Sequence, residues 1–114
     1  MIPKKTILIF PTNEHWKKAI VHANIETSLH EDMHAGEIET SILLHLNQGL
    51  VRENKMVDEL ASNRSFLHLL GMKGYTQSGV IGLPTLANKA KGKLLLESLS
   101  KSAIEDINSF CFKS

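Results

Sequence analysis

One ten-residue stretch constrains the fold of this chain more than any other part of its sequence. Residues 32–41 read Asp-Met-His-Ala-Gly-Glu-Ile-Glu-Thr-Ser, and they place three carboxylates and one imidazole around a single glycine, directly before an apolar run. Charge beside apolar residues is costly unless the charged groups cap a helix, bind a metal or transfer protons. The sequence therefore predicts a functional segment here, with the rest of the chain as its scaffold.

The second half of this stretch predicts the start of a helix. Acidic residues are favoured at the positive end of the helix dipole, and Ile38, Ile42 and Leu46 form an apolar stripe at helical spacing. Gly49 is typical of the residue that follows a helix. The charged groups would then lie at the amino-terminal end of a helix that packs through its apolar side.

Two further helices are indicated by capping residues and apolar periodicity. A short amphipathic helix is predicted over about 14–24, with Thr12 or Asn13 as its cap. A terminal helix of about six turns is predicted after Pro84, with Thr85 as its cap and an apolar side that docks on a sheet.

The fold class follows from the first apolar run. Residues 6–10 read Thr-Ile-Leu-Ile-Phe and end at a proline, a pattern typical of a strand that is buried on both faces of a helix-covered parallel sheet. A chain of 114 residues corresponds to one domain. We therefore predict an α/β fold, a short parallel or mixed sheet covered by helices, as a single domain over residues 1–114.

Composition excludes several classes of partner. A net charge of +1 gives no electrostatic footprint for nucleic acid or an anionic membrane, and no apolar run is long enough to span a bilayer. The single cysteine, Cys111, excludes an internal disulfide and fits a reducing compartment. We expect a soluble cytoplasmic protein that binds neither nucleic acid nor membrane.

A zinc peptidase is one interpretation of the histidines. Residues 30–34 match H-E-x-x-H, in which two histidines one helical turn apart bind zinc and the glutamate acts as general base. Here the ligands would be His30 and His34, with Glu31 as the base. This interpretation requires residues 30–34 to lie in one helix.

A second interpretation rests on resemblance. Residues 34–41 are similar to the H-A-G-E-x-E-T-S signature of the creatininase (creatinine amidohydrolase) family, and residues 78–87 with Ala90, Gly92 and Leu95 resemble its G-x-x-G-D-P-x-x-A segment and closing helix. The resemblance implies an α/β layered fold and a two-metal centre at which a metal-bound water attacks a cyclic amide or a formamide. This interpretation requires the helix to begin near Glu37.

The resemblance also implies roles for individual residues. Glu37 is the candidate ligand of a divalent metal, Zn, Mn or Fe, if the site is complete. Asp32 is compatible with that centre as a further ligand, and a structural role is the alternative for it. His34 is the candidate for polarising the substrate or passing a proton to the leaving nitrogen, and Glu39 for orienting its neighbours within the catalytic centre. His30 is the candidate for contact with a small-molecule amide substrate.

The chain departs from the family pattern in ways that bear on its activity. It resembles the carboxyl-terminal half of such an enzyme and lacks the metal-binding segments of the first half, and Leu83 stands where the family has aspartate. We therefore expect an incomplete centre, with association into a homo-oligomer or with a missing amino-terminal half. The third alternative is a catalytically inactive fragment or interaction module.

Overall fold

Four α-helices dominate the part of the chain that the computed structural model describes, residues 7–112. They are α1 (Asn13–His22), α2 (Glu37–Asn47), α3 (Leu67–Leu70) and α4 (Lys89–Phe112). Single turns of 3-10 helix lie between them, at Gln48–Leu50, Glu53–Lys55, Met72–Gly74 and Pro84–Leu86. None of the helices within residues 7–112 has the length and apolar character needed to cross a bilayer.

The predicted layered sheet is wrong. Helical residues make up 58% of the described chain and strand residues 4%, with no sheet between residues 7 and 112. The strand residues form two isolated antiparallel bridges, His34 with Ile81 and Glu59 with Gly82. The fold over this range is therefore helical, and single β-bridges join its connecting segments.

The predicted first strand shows why the fold class was wrong. Residues 7–10 have no regular secondary structure, and Ile7 and Ile9 are 77% and 74% exposed; Thr6 lies outside the described residues. A strand must pair its backbone N–H and C=O groups with a neighbouring strand, and no described residue forms a β-bridge with this run.

The long helix α4 packs against α2 and α1 and not, as predicted, on a sheet. The core cluster between these helices consists of Ala19, Ala23, Ile38 and Leu95. Gly92 lets α4 approach α2 closely, because a Cβ atom at this position would lie 1.9 Å from the carbonyl oxygen of Ser41. This close crossing holds the beginning of α4 beside the beginning of α2.

Side-chain caps fix where the helices begin. Thr12 caps α1 as predicted, in a reciprocal capping box with His15. The terminal helix begins later than predicted, since Asn88 Oδ1 accepts the N–H of Lys91 at 2.8 Å. Thr85 is therefore not its cap, and its backbone N–H and hydroxyl both donate to the carboxylate of Asp58.

Candidate functional site

Two glycines bring the signature segment, residues 34–41, against the second block that resembles the family, residues 78–87. The N–H of His34 donates to Ile81 O at 2.9 Å, and Ile81 N–H donates back at 3.0 Å. A Cβ atom on Gly82 would lie only 2.6 Å from the Cα atom of Gly36. Ala35, which lies between His34 and Gly36, has a φ angle of +54°, in the left-handed region that residues with a side chain disfavour. The chain is thus tightly folded at the start of α2.

The carboxylate of Glu37 lies at the centre of this arrangement and is fully excluded from solvent. Its Oε1 accepts the N–H of Thr27 at 2.9 Å and the Thr27 hydroxyl at 2.6 Å, while the N–H of Glu26 lies 3.1 Å from both oxygens. Its Oε2 accepts the ammonium of Lys91 at 2.7 Å. That ammonium also donates to Leu86 O at 2.7 Å.

These contacts determine the protonation of Glu37. Burial alone would raise the pKa of Glu37, but the hydrogen bonds from Lys91, Thr27 and Glu26 outweigh it and hold the pKa below its usual value. Glu37 is therefore ionised near neutral pH. It joins the loop before α2 to the first turn of α4 through one buried ion pair.

Asp32 caps helix α2. The residue at the cap position, Gly36, has no side chain, and Asp32 Oδ2 accepts the N–H of Ile38 at 2.9 Å in its place. Burial raises the pKa of Asp32, the negative charges of Glu37 and Glu39 raise it further, and the bond from Ile38 only partly offsets them. In the structure, therefore, one oxygen of this predicted metal ligand caps a helix.

His34 and Glu39 are both exposed and lie at the same end of α2. The imidazole of His34 makes no hydrogen bond to another residue between 7 and 112, and Glu39 Oε1 accepts the N–H of Ala35 at 3.4 Å. The fold thus buries one glutamate of the signature and exposes the other. Both predicted catalytic side chains are accessible to a ligand.

His30 lies away from the start of α2, in a contact between two loops. Its Nε2 bonds the carbonyl oxygen of Ser62, and Arg64 donates to the carbonyl oxygens of both His30 and Ala61. Residues 30–34 form a turn and an irregular segment, and α2 begins only at Glu37. The helix that a zinc peptidase requires is therefore absent from this segment.

Three residues that the sequence analysis did not single out hold the site together. Lys91 is the first of these, and its partner Glu37 is 54 positions away. Asp58 and Glu59 bind the loop that contains Gly82. The Glu59 carboxylate accepts the hydroxyl of Ser78 at 2.7 Å and the N–H of Gln77 at 2.8 Å, and these bonds lower the pKa of Glu59 to about 2.

The described residues do not fit a metal centre by themselves. Between residues 7 and 112 no group of three or more His, Cys, Asp or Glu side chains converges as metal ligands would. Both oxygens of Glu37 are already bound by N–H, hydroxyl and ammonium donors, and one oxygen of Asp32 caps α2. A cation already occupies the position beside Glu37, and it is the ammonium of Lys91.

Comparison with known proteins identifies the same family as the signature at residues 34–41. The family described as creatinine amidohydrolase matches residues 4–107, so the chain belongs to the creatininase family of amidohydrolase-like proteins, as predicted. Members of this family are generally metal-dependent.

Two curated relatives are described as mycofactocin precursor peptide peptidases, from two strains of Mycobacterium tuberculosis. Each is 32% identical over 83 residues, which cover 67% of this chain and 32% of the relative. The chain thus spans about a third of the length of these relatives. No solved structure matches the chain.

Proposed function

We propose that this chain supplies one wall of a creatininase-type centre that hydrolyses an amide C–N bond, and that a second polypeptide completes the centre. The observation that carries the proposal is the different burial of the side chains within the signature. Glu37 is buried and binds the backbone of the preceding loop, whereas His34 and Glu39 are exposed at the amino-terminal end of α2. Side chains that are held on a fixed backbone and open to solvent suit acid–base work.

The chemistry assigns different tasks to the two exposed side chains. When water adds to an amide carbonyl carbon, the C–N bond breaks only after the leaving nitrogen gains a proton. His34 takes a proton from the attacking water at its imidazole and passes it to the leaving nitrogen, so the imidazole ends in the protonation state in which it began. Glu39 acts as a positioning residue, because its carboxylate accepts the N–H of Ala35 and so holds the backbone next to His34.

The family and the relatives support a proposal for the substrate class. The family name refers to a cyclic amide, and the relatives are named for a precursor peptide. Both substrates contain a C–N bond next to a carbonyl group. We propose a small cyclic amide or a formamide as substrate, with a short peptide as the second candidate because of the 32% identity to the peptidases.

The proposal does not depend on a bound divalent metal, and Zn, Mn or Fe would bind only under the conditions given next. Binding of such an ion at Glu37 and Asp32 would require Lys91 to leave the carboxylate, and it would require further ligands from the completing polypeptide. No step of the chemistry above passes through a metal.

The proposal is tested by reconstitution. The chain is mixed with the part of a mycobacterial relative that lies outside the 83 matched residues, and hydrolysis of creatinine, an N-formyl amine and a short peptide is measured. We expect turnover only in the mixture, and a loss of about 100-fold when His34→Ala replaces the wild-type chain. His68→Ala is the control, since His68 is also exposed but lies on α3. An inactive mixture, or equal rates for the two variants, would contradict the proposal.

A further inference from the structure

One side of α2 carries leucines that the rest of the described chain leaves open to solvent. Leu43 and Leu46 are 44% and 63% exposed, and Leu50, in the 3-10 turn that follows the helix, is 67% exposed. The buried residues Ser41 and Leu44 lie on roughly the opposite side of α2, which packs on α4. We call Leu43, Leu46 and Leu50 the leucine stripe.

The same part of the chain contains no charged residue. From Thr40 to Val51 the sequence has no Lys, Arg, Asp or Glu. Single exposed apolar residues are common on protein surfaces, but the outer side of a solvent-facing helix is normally polar or charged. Here three leucines fall within eight positions of an uncharged run of twelve. The leucine stripe therefore has the composition of an interface core, in which charged residues are depleted.

Glu39 connects the leucine stripe with the candidate site. It lies four residues before Leu43 and seven before Leu46, so the three side chains project from one side of α2. Glu39 is exposed, as is His34 at the same end of the helix. The rise along the helix from Glu39 to Leu46 is only about 10 Å. A protein surface that is placed against Glu39 therefore also extends over the leucines.

We infer that the leucine stripe is the docking face for the polypeptide that completes the amide-hydrolysing centre. The inference rests on the function proposed above, which places a second polypeptide against His34 and Glu39. The relatives indicate which polypeptide this is, because the matched residues cover only 32% of each relative and the larger part lies outside the match. The surface that meets the stripe is apolar and uncharged, since a charge facing three leucines would lose its hydration without gaining a partner.

A binding measurement tests the docking face without reference to hydrolysis. The chain is titrated with the part of a mycobacterial relative that lies outside the 83 matched residues, and the complex is followed by sedimentation velocity. We expect Leu46→Glu to raise the dissociation constant about 100-fold, because it removes a buried leucine and places an unpaired carboxylate in the interface. The urea midpoint of the isolated chain should not change, since Leu46 is 63% exposed there. Leu69→Glu is the matched control for binding, since Leu69 is 73% exposed but lies on α3.

The possible outcomes separate docking from catalysis. A complex that depends on Leu46 but hydrolyses no amide would support the docking face and contradict the proposed function. Turnover by a mixture that binds the wild-type chain and Leu46→Glu equally well would overturn the docking face and leave the proposed function standing. The inference would also be overturned if no complex formed, or if Leu46→Glu affected only self-association of this chain.

Cysteine labelling locates the covered surface. In a Cys111→Ser background, Leu50→Cys should react with a maleimide in the isolated chain, and complex formation should slow this reaction at least about tenfold because the thiol loses access to solvent. Leu69→Cys should react at the same rate in both states. Equal protection of the two cysteines, or protection of neither, would overturn the proposed docking face.

Discussion

The ammonium of Lys91 lies 2.7 Å from Oε2 of Glu37, a carboxylate with no solvent-exposed surface. The two residues are 54 positions apart and belong to the two blocks that identify the family. Their contact connects the first turn of α2 with the first turn of α4. In this chain, therefore, the carboxylate that the family resemblance assigns to a metal is bound by an internal cation.

Removing one member of this pair should destabilise the fold strongly. We expect Glu37→Gln and Lys91→Met each to lower the free energy of unfolding by about 3 kcal/mol, because each leaves a buried charge without its partner. The double variant should lose clearly less than the sum of the two. Urea denaturation measures all three, and strictly additive losses would show that the two side chains do not interact.

The close crossing of α2 and α4 leads us to expect that a glycine-to-alanine substitution in a helix destabilises the fold. Replacing glycine by alanine within a helix normally stabilises it, but at Gly92 the added methyl group would meet the carbonyl oxygen of Ser41. We expect Gly92→Ala to lower the free energy of unfolding by about 2 kcal/mol.

The exposed position Ser100 on the same helix provides the control for this experiment. Ser100→Ala should be neutral or slightly stabilising to thermal unfolding of the monomer at low protein concentration. If Gly92→Ala raised the melting temperature, the two helices could not be in the contact described.

The pKa of Glu59 predicts how stability depends on pH. In the folded chain it is lowered from 4.5 to about 2, so the ionised form favours the folded state. This contribution is present above pH 4.5 and is lost as the pH falls from 4.5 towards 2. The urea concentration at the midpoint of unfolding should therefore fall as the pH is lowered from 4.5 towards 2. We expect this fall to be smaller in Glu59→Gln than in the wild type.

The neighbouring residue Glu53 is the control for the pH experiment. It is exposed, and among residues 7–112 its carboxylate accepts one hydrogen bond, from the side chain of Gln48 at 3.2 Å. Glu53→Gln should leave the pH dependence unchanged. A wild-type midpoint that is flat between pH 5 and 2 would mean that Glu59 does not hold the 77–82 loop.

Local signals in the sequence predicted three of the helices. The cap at Thr12, the acidic residues before the apolar stripe of α2 and the long periodic pattern of α4 all act within a few residues of one another, so the sequence alone carries them. The predicted helix start near Glu37 places His34 and Glu39 at the amino-terminal end of α2, where both side chains are exposed. The family itself was identified from two short motifs.

The errors came from interactions between distant residues. The run at 7–10 has the composition of a buried strand, but a strand forms only where another strand lies beside it. Similarly, nothing near Lys91 in the sequence indicates that its ammonium turns inward to Glu37, because the fold alone brings them together. A structural role for Asp32 was an open alternative, but its capping contact could not be specified because the capped residue, Ile38, lies six positions away.

Metal binding by the purified chain tests the central claim most directly, namely that Lys91 and not a metal ion occupies the Glu37 carboxylate. Equilibrium dialysis against Zn, Mn and Fe ions, followed by elemental analysis, should give well under one ion per chain for the wild type, and Glu37→Gln should not change this value. One tightly bound ion per chain that is lost in Glu37→Gln would contradict the account.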